Sequence, residues 1–370
     1  MRITIFGLTL SSSWGNGHAT PYRALIRALH RRGHEVTFFE KDVPYYAQRR
    51  DLSACGYCDL ELYPNWEEVR SRAMMHARDS DVVVVASYCP DGARIADEVL
   101  WLARPLRVFY DLDTPVTLSG LRQGPLAYLR ADQIPEFDLY LSFTGGDILE
   151  EFEERWGARL AEPLYGCVDP DVYFRVPAHG DFRCDLSYMG TYAPDRQQKV
   201  DELFLAPSRQ MKDRRFLLAG SLYPQHWDWG ENVRKLEHVA PADHLAFYSS
   251  SRVTLNITRR EMAEAGWCPS GRFFEAAACE TPILTDWWDG LDSFFVPGKE
   301  LWVVSDANQV MDAIATDDGR LAEMASRARE RTLDQHTGDA RTGELLRYLE
   351  DARDYHARKQ VTRAAQPEAA

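Results

Sequence analysis

Residues 81–87, DVVVVAS, constrain the fold more than any other stretch of this chain. Four successive β-branched apolar residues leave no polar side for water, so such a strand has to be covered on both faces. That is the environment of a parallel sheet with helices above and below it. The flanking sequence supplies the helices. Asn65 and Glu68 stand as in a capping box and open a helix over 65–78, and a second helical pattern runs over 91–103 before the strand LRVFY at 106–110. Upstream, the apolar run at 2–9 leads through a Ser- and Gly-rich loop, SSSWGNGHAT, into YRALIRALHRR. Thr20 is the expected cap of that helix, Pro21 suits its first position and Gly33 its end. EVTFFE (35–40) is the next strand, and DLYLSF (138–143) and a helix over 145–157 continue the alternation. The fold class is α/β, and the first domain, 1–168, reads as doubly wound.

The alternation then stops and restarts. Pro170, Pro177 and Gly180 interrupt 169–182, which reads as a linker. DLSYMG (185–190), RRFLLAG (214–220), KLEHVA (235–240), RVTLNIT (252–258) and LWVVS (301–305) are strands, with helices between them. A second α/β domain is expected over 183–345, followed by a helix end and a disordered tail over 346–370. A chain of 370 residues is long for a single domain, which agrees with two Rossmann-like halves facing each other across a cleft. Open α/β sheets hold ligands at the carboxyl ends of their strands.

Several residues at those strand ends can do chemistry. Gly15 and Gly17 give a G-x-G after the first strand, and His18 follows directly, as a base, a ligand contact or an ordinary loop histidine. Asp111 and Asp113 form a D-x-D that can hold a cation or accept hydrogen bonds from hydroxyls. In PSGRFFEAAACETPILTD, Ser270 is an N-cap, Gly271 leaves the backbone open, and Arg272 and Glu275 share one helix face. A helix start beside a strand end is a ready anion site. Asn256 and Arg259 stand at another strand end, where they line a pocket or bond the loop. Trp287 and Trp288 are expected to pack rather than stack on a ligand.

Composition narrows the partners. Net charge is −14 with no long basic run, which argues against nucleic acid. No apolar run is long enough to span a bilayer, and MRITIFGLTL reads as a strand rather than a leader, so a cytoplasmic protein is expected. Seven cysteines, an odd number, fit reduced thiols; the lone CGYC at 55–58 is expected to be structural or incidental.

GNGHA, YDLDTPVTL, FTGGD, DLSYMGTYAPDR, LNITR and SGRFFEAAACETPILTDWWDGLDSFFVPGKEL together resemble GT-B glycosyltransferases, in particular the spore-maturation (CgeB-type) glycosyltransferase-like family, over roughly 1–345. The resemblance implies sugar transfer from a nucleotide-sugar donor (UDP, GDP or dTDP) to an acceptor: a glycan, a small molecule or a protein. It places the acceptor on the first domain and the donor on the second. His18 and Asp113 become candidate catalytic groups, and Gly17, Gly190, Arg196, Asn256, Arg259, Ser270, Gly271, Arg272 and Glu275 candidate donor contacts. Glu275 matches the residue that binds the donor ribose in retaining relatives, and Arg196 stands where they carry a phosphate-binding Lys. Those relatives have another Glu eight residues before the first; here that position is Trp267. Retention of configuration is the favoured outcome. Cations and helix amides are expected to stabilise the leaving diphosphate, with no metal and no cofactor beyond the nucleotide sugar. The alternatives are a nucleotide-sugar 2-epimerase and a non-catalytic sugar-nucleotide-binding or surface-assembly protein on the same scaffold.

Overall fold

The computed structural model describes residues 1–15, 17–224, 227 and 229–364. Among these, two parallel sheets form. The first is built from β1 (Arg2–Gly7), β2 (Glu35–Lys41), β3 (Asp59–Tyr63), β4 (Val82–Ala86), β5 (Leu106–Asp111), β6 (Leu139–Ser142) and β7 (Ala161–Pro163). Their order is β3-β2-β1-β4-β5-β6-β7. The valine run is β4, buried along its whole length at the sheet centre, as a strand without a polar face requires. Strand order reverses between β1 and β4, whose pairing runs from Ile3–Val82 to Phe6–Val85. The carboxyl ends of these two strands are the topological switch point, where such sheets leave a crevice.

The second sheet has β8 (Cys184–Met189), β9 (Phe216–Ala219), β10 (Val233–Leu236), β11 (Ser251–Asn256), β12 (Ile283–Thr285) and β13 (Trp302–Val303), in the order β10-β9-β8-β11-β12-β13. Its switch point lies between β8 and β11. Leu186, Phe204, Phe216, Leu218, Val253, Leu255 and Leu284 are core residues of this half.

Contacts divide the chain into Met1–Tyr165 with Gly338–Ala370, and Gly166–Thr337. Two segments near the expected boundaries make contacts of their own. In residues 169–182, read as a linker, the Val176 amide donates to Ser249 Oγ (3.1 Å), the His179 amide to Ser250 Oγ (2.8 Å), and Arg175 to the Glu280 carbonyl (2.9 Å). The segment is thereby docked on the second unit. The last helix, Gly338–Ala364, belongs to the first unit, so 338–345 separate from the domain to which the sequence assigns them. Gly338 permits this, since a Cβ there would lie 2.4 Å from the Ala24 carbonyl oxygen. Arg31 pairs with Asp339 at 2.7 Å across the same contact. The helix also runs into the expected tail as far as Ala364; residues 365–370 lie outside the described residues.

Local caps behave partly as expected. Asn65 Oδ1 accepts from the Glu68 amide at 3.1 Å, starting the helix Trp66–Asp79. Thr20, by contrast, lies inside the helix Ala19–Arg31, whose N-cap is His18; the Tyr22 amide donates to the His18 carbonyl at 3.2 Å.

Candidate functional site

In the first unit the loop after β1 is anchored by a buried carboxylate. Glu40, at the end of β2, accepts from the Leu10 amide (2.7 Å), the Ser11 amide (2.8 Å), Thr9 Oγ1 (2.9 Å) and Ser11 Oγ (2.5 Å). Four donors on one carboxylate fix the path of residues 9–11. Farther along, the Ser13 amide donates to Asp51 (2.8 Å), and the Arg49 guanidinium lies over the Trp14 ring at 4.1 Å. Gly15 then turns with φ +64°, and at Gly17 the space around an added Cβ would be open. Asn16 lies outside the described residues.

The loop delivers His18 to the switch point. Its Nδ1 is buried, and burial pushes the imidazole down to about 4. The ring stands 5.5 Å from that of Tyr88, which lies just beyond β4. Tyr88 Oη donates to Asp113 Oδ2 at 2.9 Å. Loops after β1, β4 and β5 thus bring His18, Tyr88 and Asp113 together. Tyr88 has φ 60°, a left-handed conformation that costs a bulky L-residue about 1–2 kcal/mol. The sequence reading missed Tyr88; its signal was position, directly after the strand that borders β1.

Asp111 has a different task. It is fully buried and accepts from Tyr140 Oη (2.7 Å), Thr117 Oγ1 (2.8 Å) and the Asp113 amide (3.2 Å). Burial pushes its carboxyl up to about 6, against those hydrogen bonds. The two carboxylates of the D-x-D therefore serve different partners, Asp111 within the fold and Asp113 at the strand ends.

In the second unit β8 runs out at Gly190. A Cβ on Gly220 would sit 1.9 Å from the Gly190 carbonyl oxygen, so the turns after β8 and β9 touch backbone to backbone. Tyr223 Oη donates to that same carbonyl at 3.0 Å. Tyr192, Tyr223, Trp227 and Trp229 pack edge to face there, with the Lys235 ammonium 5.5 Å from the Trp229 ring. Gln225, His226 and Asp228 of this loop lie outside the described residues.

Arg196, in the first turns of the helix Pro194–Val200, is only 9% exposed. Its Nη2 donates to the Thr191 carbonyl, and its Nε is buried with no partner among the described residues. Near the end of β11, Asn256 donates weakly to Thr258 and Thr285 hydroxyls at 3.4 and 3.3 Å. The Thr258 amide and hydroxyl both donate to Asp286 (3.0 and 2.9 Å), which also forms an ion pair with Lys199. Lys199 and Asp286 were not anticipated; their segments follow β8 and β12, which the sheet brings together through β11 between them. Arg259 faces Asp195 at 3.8 Å.

Ser270 caps the helix Gly271–Ala278 and accepts from the Arg272 amide and from Arg272 Nη1, both at 3.4 Å. Arg272 and Asn256 line one narrow cavity with Met189 and Tyr248. Glu275 lies one turn further and is 8% exposed. Tyr248 Oη donates to it at 3.4 Å, and His244 Nδ1 is 3.8 Å away. Burial pushes its carboxyl up to about 7, with the Arg272 charge and the Tyr248 and Tyr173 hydroxyls opposing. Trp267 adopts φ 39° and fills the space above Gly290, where any Cβ would meet its ring at 2.5 Å. Trp288 is buried against Phe273, whereas Trp287 is about half exposed (49%).

Residues 196–347 match the family model described as "Glycosyl transferase-like". No curated protein matches the chain. Among solved structures, a sucrose-phosphate synthase from Thermosynechococcus elongatus aligns at 15% identity and TM-score 0.63, covering 95% of this chain and 100% of the other. HepE of Anabaena, in complex with UDP and glucose, aligns at 12% and TM-score 0.65 with the same coverage. An α-glucosyltransferase in complex with UDP-glucose and DNA containing an abasic site aligns at 13% and TM-score 0.69, covering 95% and 99%. The chain has the GT-B fold of two Rossmann-like units. Its second unit, with the start of the last helix, carries the glycosyl transferase-like sequence.

One expectation is corrected by these comparisons. The acidic net charge had excluded nucleic acid, yet a GT-B neighbour was solved with DNA bound. Net charge sums the whole surface, whereas binding is decided by a local patch, so the exclusion does not stand. Among the described residues, no helix is long and apolar enough to cross a membrane.

Proposed function

We propose that the chain moves a glycosyl group from a nucleotide-sugar donor to an acceptor. The observation that carries this reading is Arg196: a guanidinium nine-tenths buried at the end of β8, with Nε unpartnered among the described residues. A buried cation short of partners is costly, and a diphosphate at the switch point of the second sheet would supply the missing acceptors. Gly190 leaves the backbone after β8 without a side chain, and Ser270, Gly271 and Arg272 offer a capped helix start and a second cation. Glu275 takes the ribose hydroxyls, as the resemblance implies. Asn256 and Arg259 complete the donor pocket.

In the transfer, the bond from the sugar's anomeric carbon to the diphosphate breaks and the acceptor oxygen bonds to that carbon. Arg196 and Arg272 stabilise the charge that collects on the leaving diphosphate, which is the main catalytic contribution open to these residues. The acceptor hydroxyl gives up its proton, and His18 and Asp113 are the proposed groups that handle it. His18, pushed down to about 4, is a weak base, so its role is to hydrogen-bond the sugar or acceptor while neutral. Asp113, oriented by Tyr88, accepts the proton. Gly17 leaves room beside them. The reaction is proposed to need no metal, to retain anomeric configuration by entry of the acceptor on the face the diphosphate leaves, and to occur in the cytoplasm. The CgeB-type subfamily remains the proposed affiliation, and UDP, present with several fold neighbours, is the first nucleotide to try.

A thermal-shift screen of UDP, GDP and dTDP tests the donor site. A nucleotide at ~100 times its Kd raises stability by about 2.7 kcal/mol; no shift with any of the three would overturn the reading. Turnover of a nucleotide sugar in EDTA, with oligosaccharides and duplex DNA among the acceptors, tests metal independence and acceptor class. The anomer formed, read by NMR, tests retention.

A further inference from the structure

The pair Cys55–Cys58 lies outside all the chemistry above. Five of the seven cysteines, Cys89, Cys167, Cys184, Cys268 and Cys279, are buried, whereas Cys55 and Cys58 are partly exposed. Their Sγ atoms are in contact at 2.6 Å. Among the described residues no group of three or more metal-ligating side chains gathers anywhere, so the two thiols do not belong to a larger cluster.

The surroundings of the pair connect it to the His18 loop. Just upstream, the Asp51 and Leu52 amides donate to the Ser11 carbonyl (3.1 and 3.0 Å), and Arg50 Nε donates to Ser11 Oγ (3.0 Å). Asp51 also takes Arg23 through two bonds, at 2.7 and 3.0 Å. Just downstream, Asp59 opens β3 in register with Thr37. Between these fixed points only residues 53–58 are left, and Tyr57 rests under the Arg27 guanidinium at 4.7 Å. A covalent link across 55–58 therefore shortens the stretch between residues 51–52, which bond the Ser11 carbonyl, and the start of β3.

We propose that Cys55 and Cys58 are a reversible dithiol–disulfide site that exchanges with small disulfides. Cys55 is the attacking thiol. Its thiolate displaces one thiol from the incoming disulfide and forms a mixed disulfide. Cys58 then loses its proton and attacks Cys55 Sγ, releasing the second thiol. Two electrons pass from the pair to the small disulfide, one internal S–S bond forms, and two small thiols leave. The division of roles follows the environment: the Cys58 thiol and the Tyr57 and Cys58 amides hydrogen-bond Cys55 and bring it down to about 6, while the same contact raises Cys58.

The direction of the shift makes Cys55 the more ionised, and so the faster attacking, of the two thiols near pH 6.

The test incubates the reduced full chain with oxidised glutathione at about pH 6 and follows intact mass. The expected product has lost two hydrogens, carries its cross-link in the peptide spanning 55–58, and reverts with dithiothreitol. Cys58→Ser should stop as a glutathione adduct on Cys55, and Cys55→Ser should react several-fold more slowly than Cys58→Ser. Thiols that all stay free, a wild-type chain that stalls as the glutathione adduct, or a cross-link elsewhere would each overturn the proposal. Because no sugar or nucleotide enters this assay, its failure leaves the glycosyl-transfer reading untouched.

Discussion

Replacing Arg196 by methionine separates a charge kept for a ligand from one that holds the fold. Removing one member of a satisfied buried ion pair costs about 3–5 kcal/mol. Arg196 is nine-tenths buried, but its fold contacts are thin: one bond to the Thr191 carbonyl and an Nε with no partner among the described residues. Losing the first costs about 1.5–3 kcal/mol, and relieving the second returns about 1–3 kcal/mol. Methionine keeps much of the aliphatic volume, so the ligand-free protein should change by no more than about 2 kcal/mol, or roughly 4–8 °C for a unit of this size. Nucleotide binding should change far more. A lost guanidinium–phosphate contact of ~2 kcal/mol weakens binding about 30-fold. At a UDP concentration 100 times the wild-type Kd, stabilisation then falls from about 2.7 to about 0.9 kcal/mol. Scanning calorimetry of both proteins with and without UDP reads both numbers. A ligand-free loss of several kcal/mol would make Arg196 a structural cation, and an unchanged UDP shift would remove it from the donor site; either result refutes the reasoning.

Three further outcomes are expected. Glu275 is held near 7 when folded against about 4.3 unfolded, so the native state binds the extra proton; its contribution is complete below about pH 4.3 and is lost as pH rises through about 7. Urea melts at about pH 5 and 8 should therefore show wild type losing up to about 3 kcal/mol more than Glu275→Gln over that interval; parallel losses would mean that Glu275 is not perturbed. Tyr88→Phe keeps the ring against His18 and Tyr128 but removes the bond to Asp113, so turnover should drop about tenfold with UDP binding unchanged, and equal turnover would take Tyr88 out of the mechanism. Gly220→Ala drives a methyl into the Gly190 carbonyl and should destabilise by more than about 2 kcal/mol in thermal melts, whereas a near-neutral result would show that the two turns can part.

What was legible in the sequence was what local chemistry decides. A run of four valines can only be a strand covered on both sides, and β4 is one. Ser270 and Asn65 cap helices because each side chain reaches an amide two or three residues on. Thr20 misled for the same kind of reason: it is a good cap by residue type, but the helix begins earlier because the His18 carbonyl already accepts from Tyr22. The illegible features all depend on neighbours far along the chain. Arg31 meets Asp339, and Gly338 meets Ala24, so no local pattern could return the last helix to the first unit. Tyr88 joins His18 and Asp113 only because β1 and β5 flank β4.

Trp267 shows how the two kinds of information combine. The sequence records a missing carboxylate, eight residues before Glu275, and nothing about what replaced it. The structure supplies the replacement: a tryptophan at φ 39°, its amide donating to the Asp289 carbonyl at 2.7 Å and its ring filling the space over Gly290. A left-handed bulky residue is held only where its surroundings over-determine it, and here the ring fits because residue 290 has no Cβ. Trp267→Glu would leave that volume empty and the backbone strain in place, so the change would not restore a carboxylate poised for a donor sugar. In the proposed mechanism, transition-state stabilisation is assigned to cations and amides, which puts its weight on Arg196, Arg272 and the helix start at Ser270.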